Sequence, residues 1–364
     1  MAHAALSAHL VSIDKLSPRE RQYWRGFCEE NPALASPYFT LEFAEHCALA
    51  RRDTRVLAIS QNGTPFAFLP LHVSRTGLFR PLGGPMGDHH GLISNEGDLD
   101  IRQAFKLARL GGVFSFSGAL ASQPGFARLG DGSEPSWVCD MSAGFEAYWD
   151  GRHQAEAKAM RNLRARERKL TQAGHDIVYR IDDRRVDALD WLVATKRAQY
   201  AATGATDVFK ARWARSLTYS LMMDRSDALG GILSTMEIDG QLAAAHFGMR
   251  SASVLHYWFP VYDPAYSKYS PGLMLFRELL RETSQDGIRE AHLGPGSYDF
   301  KKRFANASFE IAQGCACNLS LTGAALRLGR GIDRMAQALP IGPLSELPGK
   351  AMRRLDKMTA IYGI

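Results

Sequence analysis

Two short stretches, 177 residues apart, restrict what this 364-residue chain can fold into. Arg55 to Val73 reads as an apolar run, the turn Gln61-Asn62-Gly63-Thr64 and a second apolar run; Gly231 to Arg250 repeats that plan around Ile238-Asp239-Gly240-Gln241. Asn-Gly and Asp-Gly each supply two successive residues that tolerate positive φ, which a two-residue hairpin turn requires. Each hairpin follows a helical region holding aromatics (Tyr38 to Ala50; Trp191 to Met223) and precedes another apolar strand. A repeat at about half the chain length predicts an internal duplication, two α/β halves of one plan.

The expected boundaries are an N-terminal domain over 1–144, a connecting basic helix over 145–174, a C-terminal domain over 175–320 and a basic amphipathic helical tail over 321–364. Phe145 to Gly174 has helical apolar spacing, no proline, and a glycine suited to the residue after a helix end, so one long helix is predicted. Between Glu156 and Leu170 six basic residues face two acidic ones, with Arg161, Arg164 and Arg168 at three- and four-residue steps. They read as a solvated helix face or as a wall that attracts an anionic substrate. The tail, Ala324 to Leu339 and then Lys350 to Tyr362, suits either packing on its own domain or lying on an anionic membrane surface.

A net charge of +6 and pI near 9.1 favour anionic partners without distinguishing a cofactor phosphate from nucleic acid or lipid. No run of 18 uncharged apolar residues exists, and the first residues lack the basic region and apolar core of a secretory signal, so a cytoplasmic location is expected. Five cysteines, Cys28, Cys47, Cys139, Cys315 and Cys317, match no zinc or redox spacing and read as reduced thiols; no metal is expected.

The chemistry concentrates between Val254 and Phe304. An aromatic strand leads into Asp263-Pro264, Tyr269-Ser270-Pro271-Gly272 opens a helix, a strand ends in Gly294-Pro295-Gly296, and Phe300-Lys301-Lys302-Arg303-Phe304 follows. Proline at a helix start needs no N–H partner, glycine lets a ligand approach closely, and the unpaired N–H groups of the first turn suit phosphate oxygens. No Gly-x-Ser-x-Gly elbow, the mark of one class of serine nucleophile, occurs.

Phe247-Gly248-Met249-Arg250, Tyr257 to Pro264, Lys268 to Leu273 and His292 to Phe304 together resemble the acetyltransferase domain of the CelD/BcsL-type proteins. These are a branch of the GNAT superfamily found in bacterial exopolysaccharide and cellulose operons. Ser36 to Thr40 and Leu82 to Ile93 are similar to that family's opening segments, so the resemblance spans roughly residues 36 to 318. The ending Phe300-Lys301-x-x-Phe304 also resembles the FemAB aminoacyltransferases. The resemblance implies tandem GNAT-like α/β domains with mixed, mostly antiparallel sheets flanked by helices, the C-terminal one binding the donor. It further implies acetyl-CoA or another acyl-CoA as co-substrate and an amino sugar of a saccharide or lipid-linked saccharide as acceptor. His292 departs from the family pattern, which has an acidic residue there, so no carboxylate role transfers to it.

Acyl transfer needs a base near a neutral amine and a donor for the developing oxyanion. Candidate bases are Asp88 and His89 on a glycine-flanked loop, His246, His256, and Asp263, which reads equally as a turn start. Lys301, by the FemAB resemblance, faces the acyl group or the donor phosphates. Tyr269, Ser270, Pro271, Gly272, Leu273, Lys302 and Arg303 are the candidate donor contacts; His90, Arg161, Arg164, Tyr262 and Tyr298 are candidates for the acceptor. Two rival readings keep the fold: a FemAB-like enzyme using aminoacyl-tRNA, the only case in which nucleic acid is a partner, and a non-catalytic scaffold of a polysaccharide export or synthase complex.

Overall fold

The computed structural model describes residues 5–96, 98–224 and 226–317; the tail expected over 321–364, with its membrane contact, lies outside the described residues. The first half contains β1 (Leu6–Val11), α1 (Pro18–Glu30), α2 (Leu41–Ala50), β2 (Thr54–Gln61), β3 (Thr64–Val73), β4 (Leu78–Pro81), α3 (Ile101–Leu107), β5 (Val113–Leu120), α4 (Pro124–Ala127) and β6 (Gly130–Asp140). After α5 (Phe145–Ala155) and α6 (Ala157–Gln172) come β7 (Ile177–Arg180), α7 (Val186–Thr203), α8 (Arg212–Met223), β8 (Gly230–Ile238), β9 (Gln241–Arg250) and β10 (Val254–Tyr262). The described chain closes with α9 (Pro271–Gln285), β11 (Glu290–Pro295), α10 (Asp299–Phe304) and β12 (Ala307–Cys317).

All twelve strands join one sheet in the order β1-β2-β3-β4-β5-β12-β6-β11-β10-β9-β8-β7. Read from either end, this order maps each strand onto the one six positions later, a pseudo-twofold axis between β6 and β12. The pairing senses agree: β1 to β4 and β7 to β10 are antiparallel neighbours, while β4–β5 and β10–β11 are parallel. The halves are also interlocked. β6, from the first, pairs with β11, and β12, from the second, pairs with β5. Both hairpin turns have the geometry their residues predict, with φ of 51° and 78° at Asn62 and Gly63 and of 51° and 74° at Asp239 and Gly240.

One core covers a single face of both halves, packing α1, α2, α7 and α8 through residues such as Trp24, Phe43, Leu192 and Leu217. On the opposite face α3 and α4 cover the first half, and α5, α6 and α9 cover the second. The helix predicted over 145–174 is two helices, broken at Glu156 (φ −125°, ψ 42°). Phe145, Tyr148 and Trp149 of α5 pack into the same core as Met160, Leu163 and Leu170 of α6, and one straight rod does not aim both stripes at it. Among the described residues no helix is long and apolar enough to cross a membrane.

Candidate active site

Strands β10 and β11 are paired for only three positions, Val254↔Glu290 to His256↔His292. A register shift in the β9–β10 ladder between His256 and Phe259 bends β10 away, and both strands run on without pairing to each other. The result is a V-shaped opening through the sheet.

Asp88, from the first half, enters it. Its backbone lies against Gly118 of β5 and its carboxylate against Gly294 of β11: a Cβ built at either glycine would stand 2.4 Å from the Asp88 carbonyl oxygen or Oδ2, respectively. Both glycines have positive φ, 71° and 73°, so side-chain volume and backbone strain exclude other residues there. Asp88 Oδ2 lies 3.0 Å from Nε2 of His256, whose ring is fully buried and packed 4.8 Å from Tyr38. The Asp88 side chain retains 32 % exposure, which leaves the pair accessible to a substrate.

Beside it, His89 is held on both nitrogens, Nε2 by Ser136 Oγ at 2.8 Å and Nδ1 by Ser36 Oγ at 3.1 Å. Burial, aided by His292, His256 and Lys301, keeps its pKa well below the ordinary histidine value, so it is a neutral strut in the seam. His292 Nε2 bonds Glu290 at 2.8 Å. The rings of His256 and His292 are each within 5.4 Å of His89, yet the three Nε2 atoms turn to different partners, and among the described residues no set of three or more metal-ligating side chains converges.

Alternation along β10 separates the two sides of the opening. His256 and Trp258 face Tyr38 and the α7 side; Tyr257 faces Phe276 of α9 and Phe300 of α10. On the Tyr257 side a groove of about 100 Å³ runs between α6, α9 and α10, lined by Asn162, Arg166, Leu273, Phe300 and Arg303 among others. It leads from the start of α9, where Ser270 is left-handed (φ 59°), Pro271 takes the first helical position, and a Cβ on Gly272 would meet only Tyr262, at 4.0 Å. The backbone there is open to a ligand. Arg166 donates to Ser270 Oγ, placing a guanidinium at the helix start.

Lys301 sits at the far lip, donating to the Pro295 carbonyl at 2.5 Å with its ammonium 5.7 Å from the Tyr298 ring. Burial lowers its pKa, and Asp88 and Glu134 oppose that shift. Thus Asp88, His89, Lys301 and Tyr298 gather at the opening, while Ser270, Pro271, Gly272, Leu273 and Arg303 gather at the groove.

The other sequence candidates lie elsewhere. His90 is not an acceptor contact: its ring is buried in the first half's core, 5.5 Å from both Phe114 and Phe126. Extended backbone sends adjacent side chains opposite ways, so only His89 reaches the seam. His246 is not placed as a base, since it is fully buried, stacked 4.2 Å from Tyr257, and its Nε2 accepts from the Trp258 N–H at 3.3 Å. Asp263 caps the turn after β10 by accepting from the Ala265 N–H at 2.9 Å. Arg161 and Arg164 are exposed and line an open concavity of about 610 Å³ formed by α6 alone. Lys302 is exposed, Tyr262 flanks Gly272, and Tyr269 packs between His175 and Lys268.

Sequence reasoning missed Lys196 and Tyr200 of α7, whose contribution appears only in three dimensions. Lys196 donates to the Pro260 carbonyl at 3.0 Å, and burial lowers its pKa to about 8. Beside Arg197 it reads in sequence as an ordinary solvated helix position, and nothing local marks it.

Residues 157–302, from α6 to α10, match the family model described as the acetyltransferase (GNAT) domain. The fold is GNAT-like. The matched stretch contains both lips of the opening and most of the groove's lining, with Arg303 and Phe304 just beyond it. Among solved structures, the C-terminal domain of a putative lysylphosphatidylglycerol synthetase from Agrobacterium fabrum is 14 % identical, with a TM-score of 0.52 over 85 % of this chain and 94 % of that one. FemX is 10 % identical, with a TM-score of 0.55 over 85 % and 98 %. A protein of unknown function from Bacteroides thetaiotaomicron is 12 % identical, with a TM-score of 0.53 over 82 % and 97 %. At these identities the likeness is one of fold. No curated protein matches the chain.

Proposed function

We propose that the chain is a CelD/BcsL-type N-acyltransferase that moves an acyl group, most simply acetyl, from acyl-CoA to an amino sugar of a bacterial surface polysaccharide or its precursor. The observation that carries this reading is the opening between β10 and β11, with phosphate-suited groups on one side and the Asp88–His256 pair on the other. The Gly272 amide at the start of α9, with Arg166 and Arg303, suits the donor's phosphates, and Leu273 and Phe300 suit its apolar arm. The thioester then lies in the opening with its carbonyl toward Lys301. The acceptor amine attacks that carbonyl, the C–N bond forms as the C–S bond breaks, Asp88–His256 removes the amine proton, and the thiolate leaves to be protonated. Such a donor implies action in the cytoplasm, with the basic tail as a peripheral contact to an anionic membrane.

Calorimetry with acetyl-CoA and assay against candidate amino sugars test the reading. Asp88→Asn should lower kcat by about 10²- to 10⁴-fold, the usual worth of a positioned general base, while donor affinity changes little. Absence of acetyl-CoA binding at millimolar concentration overturns it. Turnover with charged tRNA instead of acetyl-CoA would establish the aminoacyl-transfer alternative, and full function in vivo of Asp88→Asn combined with Lys301→Met would establish the scaffold.

A further inference from the structure

We propose that Lys196 and Tyr200 of α7 form an anion subsite for the acceptor, so that the acylated amine belongs to a phosphorylated amino sugar and not to a neutral polymer. This rests on the acyl-transfer reading above and selects, within it, the precursor over the finished chain.

The two lips of the opening carry matching cations. Lys196 donates to Pro260 on β10 and Lys301 to Pro295 on β11, each making one hydrogen bond among the described residues. An ammonium offers three donors, so both retain capacity directed at what enters between the strands. Their surroundings differ in charge. Lys301 feels Asp88 and Glu134, whereas Lys196 has no ion-pair partner among the described residues and burial is what lowers its pKa. A half-buried cation without a counter-charge is costly, and a bound anion offsets that cost.

Tyr200 stands beside this cation, its ring 5.6 Å from the Lys196 ammonium. Burial raises its pKa, and Asp207, Tyr298 and Asp88 add to that shift. Its hydroxyl has no hydrogen-bond partner among the described residues. A phosphate seated on the ammonium and this hydroxyl satisfies both while leaving the sugar amine to face Asp88. Charge-assisted hydrogen bonds of this kind are each worth about 1.5–3 kcal/mol, or about 10- to 100-fold in binding.

The experiment compares kcat/KM for glucosamine, glucosamine 1-phosphate and a nucleotide-linked glucosamine, using the full chain and acetyl-CoA. The expected ratio of phosphorylated to neutral acceptor is about 10 to 100; the preferred phosphorylated arm tells a terminal phosphate from a bridging one. Lys196→Met should collapse the ratio toward 1, Lys196→Arg should restore part of it, and Tyr200→Phe should lower it by a smaller factor. A wild-type ratio near 1, or one that Lys196→Met leaves unaltered, overturns the subsite while leaving the acyl-transfer reading intact. If no amino sugar is acylated, the thermal upshift given by inorganic phosphate decides: retained in Arg166→Ala and lost in Lys196→Met supports the subsite, and any other pattern overturns it. Melting curves without phosphate show that each variant is folded.

Discussion

The two halves share a strand plan but treat its weak point in opposite ways. In the first, β4 and β5 pair only at Leu78↔Val113 and Phe79↔Phe114, and the space beyond is filled by the chain itself. His90 bridges Ala119 of β5, Ile93 bridges Phe68 of β3, and the segment occupies the place that the short β4 vacates. In the second, β10 is nine residues long and continues past its pairing with β11, β11 turns to β6, and no described segment inserts between them. The closed copy supplies Asp88 to the open one. A duplicated fold thus carries one filled copy and one open copy with the candidate site, and the difference depends on a few residues of a single loop.

The largest expected effect comes from breaking that supply. Gly294→Ala places a methyl group 2.4 Å from the Asp88 carboxylate at a positive φ, so kcat/KM should fall by about 100-fold or more with stability reduced by about 1–3 kcal/mol. Gly118→Ala, which presses on the Asp88 backbone from the closed half, should cost activity and stability together. Steady-state kinetics and denaturant titration separate the two, and equal activity of either variant to wild type would show that Asp88 does not work from this position.

A smaller effect tests the filled copy. His90 is held by burial at a pKa of about 3, far below the ordinary 6.5. The unfolded chain takes up a proton as pH drops below about 6.5 and the folded chain does not until about 3, so stability is full above 6.5 and declines through that window. His72, lowered to about 4 by burial, adds to the same decline. His90→Leu should flatten the loss between pH 6 and 4 in denaturant titrations and leave acetyl-CoA affinity unchanged; a decline as steep as that of wild type would contradict this account.

The smallest effect sharpens the symmetry. Gly63→Ala and Gly240→Ala sit at equivalent turn positions with φ of 78° and 74° and open space for a Cβ, so each should cost about 1 kcal/mol, nearly equally. A large difference in the two chemical-denaturation midpoints would show that the hairpins are not energetically equivalent.

What could be read from the sequence was what local chemistry fixes. Asn62-Gly63 and Asp239-Gly240 dictate their own turns, and Ser270-Pro271-Gly272 dictates a helix start with open backbone, because neighbours in the chain suffice. The pair at the centre of the site spans 168 residues, and Lys196 acquires its character only from β10 above it. His89 and His90 are chemically the same, and only the bridge to Ala119 decides which one enters the seam. The break at Glu156 likewise follows from two apolar stripes that must meet one core, which helical periodicity alone does not reveal.

The exchange of β6 and β12 has a consequence for biosynthesis. As the ribosome releases the chain from its N-terminus, β6 emerges long before β11 and β12, the strands that flank it, and waits as an unpaired edge. Asp88 likewise has no partner until the second hairpin and the strands after it have been made. The Asp88–His256 pair is therefore completed only in a late docking step, and a nascent chain halted earlier exposes an unpaired strand edge, the general hazard of a half-made sheet.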